Sequence, residues 1–274
     1  MNLHLTYFGD NNFSIGKRRI RTQAENFKVF KSILEYGEQD LENNTFWETY
    51  AKPMMKPRVG MQRRYYGYYA CKPYFILQAL NSIPENDVLL YVDSGCELNK
   101  NGLEKLQQYY EECLDTEGVF FTLDLPEIQW TKMDTYHYIM GDDDEYLMTR
   151  QIISGIFFLK NTPMIKQLVQ KWMDICVEDG GKYLDDSSST LSNDNIFREN
   201  RHDQSIWSLI LKKKSEAHDF TFHEDDTYET IWNAVGLSGV PVGPEQAKIW
   251  NTYGKEYPIW ATRNGQIEFT NCEI

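Results

Sequence analysis

This sequence lacks the features that mark membrane proteins, secreted proteins and proteins stabilised by zinc or disulfides. No run approaches the roughly 20 consecutive apolar residues that a membrane span requires. The opening MNLHLTYFGD has neither a basic leader nor the apolar core of a signal peptide. The five cysteines are widely spaced and form no CxxC pair, so neither a zinc knuckle nor a disulfide framework is indicated. We therefore expect a soluble, cytoplasmic protein with free thiols.

Positive charge is scarce as well. The 28 Lys and Arg residues face 41 Asp and Glu residues, which gives a formal net charge of -13. General nucleic-acid binding depends on neutralising phosphates with Lys and Arg. We therefore expect no nucleic-acid partner, and any contact with a polyanion must be local.

Aromatic side chains are abundant by contrast. They make up 14% of the residues and include 18 Tyr and 7 Trp. Such a composition is typical of clefts that stack against the flat faces of sugars and bases, and it is equally compatible with a tyrosine-rich core that binds nothing.

The order of apolar segments predicts a single large α/β domain over the 274 residues. The clearest strand is 88–92, VLLYV, because a continuous apolar run of this length is typical of a strand buried on both faces. Further strands are predicted at 3–8, 118–123 and 152–159, and helices at 17–36, 46–51, 73–82, 102–114, 163–177 and 202–214. This alternation favours a mostly parallel central sheet flanked by helices.

Proline and glycine mark the breaks between these elements. Pro73 is placed in the first turn of its helix, where proline is well tolerated. Residues 178–200 are rich in Gly, Ser, Asp and Asn and predict a mobile loop. The tail is predicted to wrap the domain as irregular chain, because it contains Gly236, Gly239, Pro241, Gly243 and Pro244.

The strongest candidate site is YVDSGCEL, where Asp93 follows a buried strand directly. Ligands of open parallel sheets bind beyond the carboxyl ends of the strands. Ser94 and Gly95 allow the backbone to approach such a ligand, and a carboxylate there suits a hard divalent cation that bridges to phosphate oxygens. The alternative is an ordinary helix-capping aspartate in a strand-to-helix turn.

A second candidate is ENRHDQSIWSLI, in which a polar cluster precedes an apolar helical face. A carboxylate at Asp203 can act as a general base on a hydroxyl or can orient a sugar. The alternative is an N-cap with solvated charges beside it.

Three weaker patterns have simpler interpretations. In RRYYGYYACKPYFIL, Lys72 and the first helical turn could hold phosphate, although a surface lysine beside buried tyrosines is the plainer reading. The acidic run 141–145 lacks calcium-loop spacing and is predicted to be a solvated loop. His218 and His223 are either late metal ligands or, more simply, surface histidines.

Five motifs in this order resemble a group of small glycosyltransferases with the GT-A fold, found in bacteria and large DNA viruses. They are GYYACKPYFIL, DVLLYVDSGCELN, IQWTKMD, GIFFLKNTPMIKQLVQKWMDIC and ENRHDQSIWSLILKK, which together span about 65–214. The resemblance implies one domain, with a nucleotide-sugar-binding half at 1–125 and an acceptor-binding half at 126–274. If the chain is viral, the expected location is the host cytoplasm.

The resemblance also implies a nucleotide-diphosphate-sugar donor, with a UDP-sugar as the first guess, and a divalent metal, Mn²⁺ or else Mg²⁺. The family's metal signature is Asp-x-Asp, which here reads Asp93, Ser94, Gly95, with the second acid missing and Glu97 out of phase. Asp93 is the expected metal ligand, and a one-carboxylate site and a metal-independent enzyme both stay open. The other donor contacts implied are Thr6, Tyr7, Phe8, Arg21 (or its neighbour Arg18), Lys72, Ser94 and Gly95.

For the glycan acceptor and the chemistry, the resemblance implies Asp203 as base or sugar-orienting acid and Gln204 as a sugar contact. His202, Trp130 and Lys132 are further expected contacts to acceptor or sugar. A metal at Asp93 would offset charge on the departing diphosphate. Inversion and retention of the anomeric configuration both stay open.

Three rival functions remain compatible with the residues. A non-catalytic carbohydrate-binding module would explain the aromatic side chains without turnover. A sugar nucleotidyltransferase shares the doubly wound sheet but usually has a Gly-rich phosphate loop after its first strand, of which GDNNFSIGKRR is a poor version. A glycoside hydrolase would need two carboxylates and no nucleotide.

Overall fold

A seven-stranded sheet forms the centre of the protein. The computed structural model describes residues 1–56, 65–224, 252 and 254–262. The strands are β1 (Leu3–Phe8), β2 (Phe30–Tyr36), β3 (Val88–Val92), β4 (Glu97–Leu98), β5 (Gly118–Pro126), β6 (Arg150–Ile152), β7 (Ile156–Lys160), β8 (Thr221–Glu224) and β9 (Ile259–Trp260). The sheet order is β2-β1-β3-β7-β5-β6 with β8 also on β5, and β4 pairs separately with β9.

The sheet is mostly parallel. Strands β1, β2 and β3 are mutually parallel, whereas β7 runs antiparallel to both β3 and β5. Strand β8 is parallel to β5, and β6 is antiparallel to it. The carboxyl ends of β1 and β3 therefore meet the start of β7 at one edge of the sheet, and this edge carries the site.

Helices cover both faces of the sheet. They are α1 (Ser14–Phe27), α2 (Tyr66–Ser82), α3 (Leu103–Asp115), α4 (Glu127–Trp130), α5 (Met133–Met140), α6 (Pro163–Val177) and α7 (Asp203–Ser215). Shorter helical turns lie at Asn11–Phe13, Glu38–Leu41, Trp47–Ala51, Lys52–Met55, Lys100–Gly102 and Glu178–Gly180. No helix in the described ranges has the length and apolarity needed to cross a membrane.

Alternating strand residues divide the core into two layers. In β3, Leu89 and Tyr91 pack with α2, α6 and α7, whereas Leu90 and Val92 pack with α1 and α3 on the other face. The four cysteines in the described ranges are buried and unbridged.

The directions of the strands and the helices on both faces of the sheet confirm the predicted α/β architecture with a mostly parallel sheet.

Most predicted elements are found close to their predicted bounds. Strands β1, β3 and β5 and helices α3, α6 and α7 match, and 141–145 is exposed. Residues 46–51 are helical, and 178–200 is mainly irregular chain. The predicted irregular tail with its glycines and prolines lies outside the described residues.

The predicted helix at 17–36 is wrong in its second half. Helix α1 ends at Phe27, and Lys28 has a backbone φ of +56° that turns the chain. Residues 30–36 then form β2, the edge strand beside β1. The spacing of Phe30 and Ile33 fits a helix and a strand about equally, and pairing with β1 decides between them.

The predicted start of α2 at Pro73 is also wrong. The helix begins at Tyr66, so Pro73 lies inside it. A proline in a helix interior removes one hydrogen bond and costs about 3 kcal/mol. Burial of Ala70, Cys71 and Phe75 around it offsets that cost. Lys72 therefore lies in the middle of a helix and cannot belong to a first turn that binds phosphate through backbone N–H groups.

Candidate active site

A cavity of about 710 Å³ opens where β1 and β3 end and β7 begins. Its walls come from the loops after β1 and β3, from α2, and from the start of α7. Eight of the predicted site residues line it: Phe8, Lys72, Asp93, Ser94, Gly95, His202, Asp203 and Gln204. The two strongest sequence motifs, which are distant in the chain, are thus brought to one place.

Lys72 connects those two motifs. Its Nζ lies 2.8 Å from Asp203 Oδ2 and 3.1 Å from Asp93 Oδ1. Ser154 Oγ donates to Asp203 Oδ2 at 2.8 Å and lies 3.2 Å from the lysine nitrogen. A single ammonium group therefore holds both candidate carboxylates in register across the cavity floor.

Burial disfavours a charged Lys72, but the two carboxylates outweigh that effect and raise the pKa of Lys72 above its usual value. The side chain of Lys72 is 11% exposed and that of Asp203 is 5% exposed, whereas that of Asp93 is 47% exposed. Asp203 is thus the more buried partner of Lys72, and Asp93 is the more exposed of the two carboxylates that border the cavity.

Asp93 is fixed by its neighbours in the sheet. Its backbone N–H donates to Gly155 O at 2.8 Å, and its Oδ1 accepts the hydroxyl of Tyr91 at 2.8 Å. A Cβ at Gly155 would lie 2.7 Å from Asp93 Oδ2. Only glycine leaves room for this carboxylate, and Gly155 therefore shapes the site.

The start of α7 supplies the opposite wall. His202 adopts a φ of +55°, which non-glycine residues rarely do and which costs on the order of 1–3 kcal/mol. Its ring stacks on Tyr69 at 4.8 Å, and its Nδ1 lies 2.9 Å from Leu184 O. This strained turn starts α7 so that Asp203 and Gln204 both border the cavity.

The described lining is acidic. It contains four carboxylates, from Asp10, Asp93, Glu199 and Asp203, against two cations, Lys72 and Arg201. A diphosphate bound there would meet net negative charge, which is unfavourable at these distances. A divalent cation that arrives with the diphosphate would offset this excess of negative charge.

The side chains around Asp93 fit such a cation only when the diphosphate supplies further ligands. No group of three His, Cys, Asp or Glu residues suited to a metal occurs in the described ranges. Asp93 Oδ1 already accepts from Tyr91 and Lys72, which leaves one oxygen of a half-exposed carboxylate. Mg²⁺ commonly binds through one or two carboxylates plus substrate phosphates. The residues present therefore fit a metal–diphosphate complex with Asp93 as a ligand.

The other acid and histidines raised by the sequence lie elsewhere. Glu97 is fully buried in β4 and does not line the cavity. His218 and His223 pair with Glu117 and Glu112, at 3.2 and 2.6 Å, away from the cavity lining.

Three predicted donor contacts are not in the lining. Thr6 donates its hydroxyl to Leu34 O, and Tyr7 donates to Glu35 Oε2, both within the paired strands β1 and β2. Arg21 is half exposed and lies 3.6 Å from Glu35. These side chains join β1, β2 and α1, and the structure does not bring them to the cavity.

Two predicted acceptor contacts also lie outside the lining. Lys132 is buried, and its ammonium binds Asp185 Oδ1 at 3.2 Å and Ser187 Oγ at 3.2 Å, which anchors the loop after α6. Trp130 receives the guanidinium of Arg201 over its ring at 4.8 Å. Trp130 can therefore act on the cavity only through Arg201, which does line it.

Sequence reasoning missed several lining residues. The run 152–159 is not one strand, because β6 ends at Ile152 and β7 starts at Ile156. The intervening Ser154 and Gly155 face Lys72 and Asp93. A Ser-Gly pair inside an apolar run is a break signal that could have located them. The tyrosines Tyr65, Tyr68 and Tyr69 also line the cavity, but they lacked a signal that separates rim from core.

Comparisons with known proteins give a likeness of fold alone. No protein-family model and no curated protein matches the sequence. Among solved structures, mouse xyloside xylosyltransferase 1 has 13% identity and a TM-score of 0.44 over 94% of this chain and 97% of its own. The galactosyltransferase LgtC, with donor and acceptor sugar analogues, has 10% identity and a TM-score of 0.47 over 94% and 86%. A glycosyltransferase involved in glycosylation of the major capsid of PBCV-1 has 11% and 0.43 over 85% and 89%. Similarity at this level assigns neither a reaction nor a substrate to this chain.

Proposed function

We propose that this chain is a GT-A-like glycosyltransferase that moves a sugar from a nucleotide-diphosphate donor to a glycan acceptor. The observation that carries the proposal is the Lys72 ammonium group held between Asp93 and Asp203 in one cavity. One carboxylate is accessible for the leaving-group side, and the other is buried beside the helix start that would face the sugar. The proposed unit is the whole chain, with the donor half at 1–125 and the acceptor half at 126–274.

The donor would lie across the ends of β1 and β3. Phe8, Ser94 and Gly95 border this part of the cavity, and Ser94 and Gly95 directly follow Asp93 in the chain. Asp93 would hold a divalent metal, Mn²⁺ or Mg²⁺, that accompanies the diphosphate. When bound, that ion would supply positive charge to the departing diphosphate. A UDP-sugar is the first donor to test.

The sugar and acceptor would lie against the start of α7. Asp203 Oδ2 is occupied by Lys72 and Ser154, while no group in the described ranges donates to its Oδ1. That oxygen can accept a hydroxyl proton or orient a sugar hydroxyl. His202 and Gln204 flank it, and Trp130 would act through Arg201. Lys132 would support the acceptor side indirectly, through the loop it anchors.

A donor screen tests the proposal. The purified chain is incubated with UDP-, GDP- and dTDP-sugars, with and without Mn²⁺, and nucleoside diphosphate release and thermal shift are followed together. Metal-dependent release with one donor is the expected result. Thermal shift with glycans but silence with every donor would instead favour the carbohydrate-binding module. Pyrophosphate released from a nucleoside triphosphate and a sugar phosphate would favour the nucleotidyltransferase, and cleavage of an aryl glycoside without nucleotide would favour the hydrolase.

A further inference from the structure

Four buried polar side chains form a hydrogen-bonded chain behind the cavity wall. It begins at Lys212, near the end of α7, and ends at Gln204, near the start of the same helix. Its members are Lys212, Glu127, Gln151 and Gln204, all at most 7% exposed. Lys212 Nζ lies 2.7 Å from Glu127 Oε1, Gln151 Nε2 lies 3.0 Å from Glu127 Oε2, and Gln204 Nε2 lies 2.8 Å from Gln151 Oε1. The chain thus starts at a buried ion pair and ends at a residue that borders the cavity.

The ion pair fixes the direction of every bond that follows. Glu127 accepts from Lys212, Ser208, Thr131 and Gln151, which fills the four acceptor positions of an ionised carboxylate. A flipped Gln151 amide would place its oxygen against this carboxylate with no proton between them. Gln151 must therefore turn its nitrogen to Glu127 and its oxygen to Gln204.

The same reasoning applies one step further along. Because Gln151 offers an oxygen, Gln204 must offer its amide nitrogen, and Gln204 Oε1 is left on the other side. No donor in the described part of the chain bonds that oxygen, and Gln204 lines the cavity. An amide oxygen accepts hydrogen bonds and cannot donate them.

We infer that Gln151, oriented by Glu127, is a positioning residue that fixes Gln204 as a hydrogen-bond acceptor toward the cavity. The group it contacts in the substrate is then a hydrogen-bond donor. Its identity as a sugar hydroxyl rests on the proposed function, whereas the polarity of the amide does not. Neither Gln151 nor Glu127 lines the cavity, so both act through Gln204.

A carboxyl introduced by Gln204→Glu probes this polarity. It can satisfy Gln151 Oε1 only while protonated, so its pKa in the folded state is raised above the unfolded value of about 4.3. A group with a raised folded pKa stabilises below its unfolded pKa, and that stability is lost as the pH rises through the folded pKa. Near pH 5 the Tm of the variant should match that of the wild type. By pH 8 the Tm of the variant should lie roughly 3 °C or more below that of the wild type.

Gln23→Glu is the matched control for burial. Gln23 is 5% exposed against 7% for Gln204, but its oxygen accepts from Leu98 N–H at 2.8 Å, a role that an ionised carboxylate keeps. Its Tm relative to wild type should fall less with rising pH than that of Gln204→Glu. In a Gln151→Met background the pH-dependent loss from Gln204→Glu should shrink, because the acceptor it needs is gone.

Thermal melts of these variants from pH 5 to pH 8 decide the inference without any substrate. The inference is overturned if the loss of Tm in Gln204→Glu is equal at every pH, if Gln23→Glu shows the same pH-dependent loss, or if the loss is unchanged in the Gln151→Met background. Failure of Gln204→Glu to fold at pH 5 also overturns it. Where a donor has been found, transfer by Gln204→Glu relative to wild type should recover at the lower pH. Absence of transfer in the wild type itself counts against the proposed function and leaves the melting result intact.

Discussion

Lys72 Nζ and Asp203 Oδ2 lie 2.8 Å apart, and this ion pair ties the middle of α2 to the first residue of α7. Both side chains are largely buried. The pair therefore sets the spacing of the two walls of the cavity.

Removing the ammonium should be costly. Lys72→Met leaves the Asp203 carboxylate buried without its cation, and losing one partner of a buried pair costs about 3–5 kcal/mol. Lys52→Met is the control, because Lys52 and Glu48 form a half-exposed pair worth about 0.5 kcal/mol at most. Urea denaturation of both variants measures the difference. Equal free energies of unfolding would show that Lys72 has no structural role in the cavity.

Asp134 should make the loop after α6 sensitive to acid. Burial opposes its ionisation, but hydrogen bonds from Thr190 and the N–H of Leu191 outweigh burial and hold the pKa of Asp134 below its usual range. A lowered folded pKa gives stability above the unfolded pKa of about 3.9, which is lost as the pH falls through the folded pKa.

Asp134→Asn should therefore destabilise the chain at pH 7 by about 1–3 kcal/mol. The gap to wild type should narrow as the pH is lowered below about 4. Urea titrations at both pH values measure it, with the exposed Asp124→Asn as the control. A gap of the same size at pH 7 and in acid would contradict the role given to these hydrogen bonds.

Gly155→Ala should impair turnover more than stability. The added Cβ would lie 2.7 Å from Asp93 Oδ2 and push the carboxylate from its position. We expect nucleoside diphosphate release to fall by about 100-fold, the effect of a misplacement near 1 Å. Gly118→Ala is the control, since its Cβ would lie 2.7 Å from the Phe120 ring in β5, outside the cavity lining. If both variants retain wild-type turnover, Asp93 does not have to stay where the structure has it.

Metal binding should depend on the nucleotide. Within the described ranges, Asp93 does not belong to a group of three metal-binding side chains. Mn²⁺ alone should therefore bind weakly, and Mn²⁺ and UDP should bind together. Calorimetry of Mn²⁺ with and without UDP, on wild type and Asp93→Asn, measures this. Tight binding of Mn²⁺ alone, unchanged in Asp93→Asn, would place the metal at other residues.

The sequence predicts the strands and helices that local pattern determines. Strand β3 and helix α6 were predicted at their observed bounds, because a buried apolar run and a Pro-started amphipathic segment each have one plausible form. Strand β2 was missed because an edge strand buries little, so its pattern is not distinct from that of a helix.

The site was predictable only as separate residues. Asp93 and Asp203 follow from their positions at a strand end and a helix start. Lys72 as the link between them does not, because Pro73 placed it at a helix terminus and only tertiary packing keeps proline inside α2. The Gln151–Glu127 support was equally invisible, since it depends on contacts between β6, α4 and α7.

Comparing Asp203→Asn with Asp185→Asn in donor turnover tests most directly whether this cavity is the transfer site. Both aspartates form buried pairs with a lysine, Asp203 with Lys72 at 2.8 Å and Asp185 with Lys132 at 3.2 Å, but only Asp203 borders the cavity. Release of nucleoside diphosphate should fall by about 100-fold or more in Asp203→Asn and by much less in folded Asp185→Asn, whose effect can reach the cavity only through the loop that Lys132 anchors. Full turnover in Asp203→Asn, or equal loss in both variants, would contradict the assignment of this cavity as the transfer site.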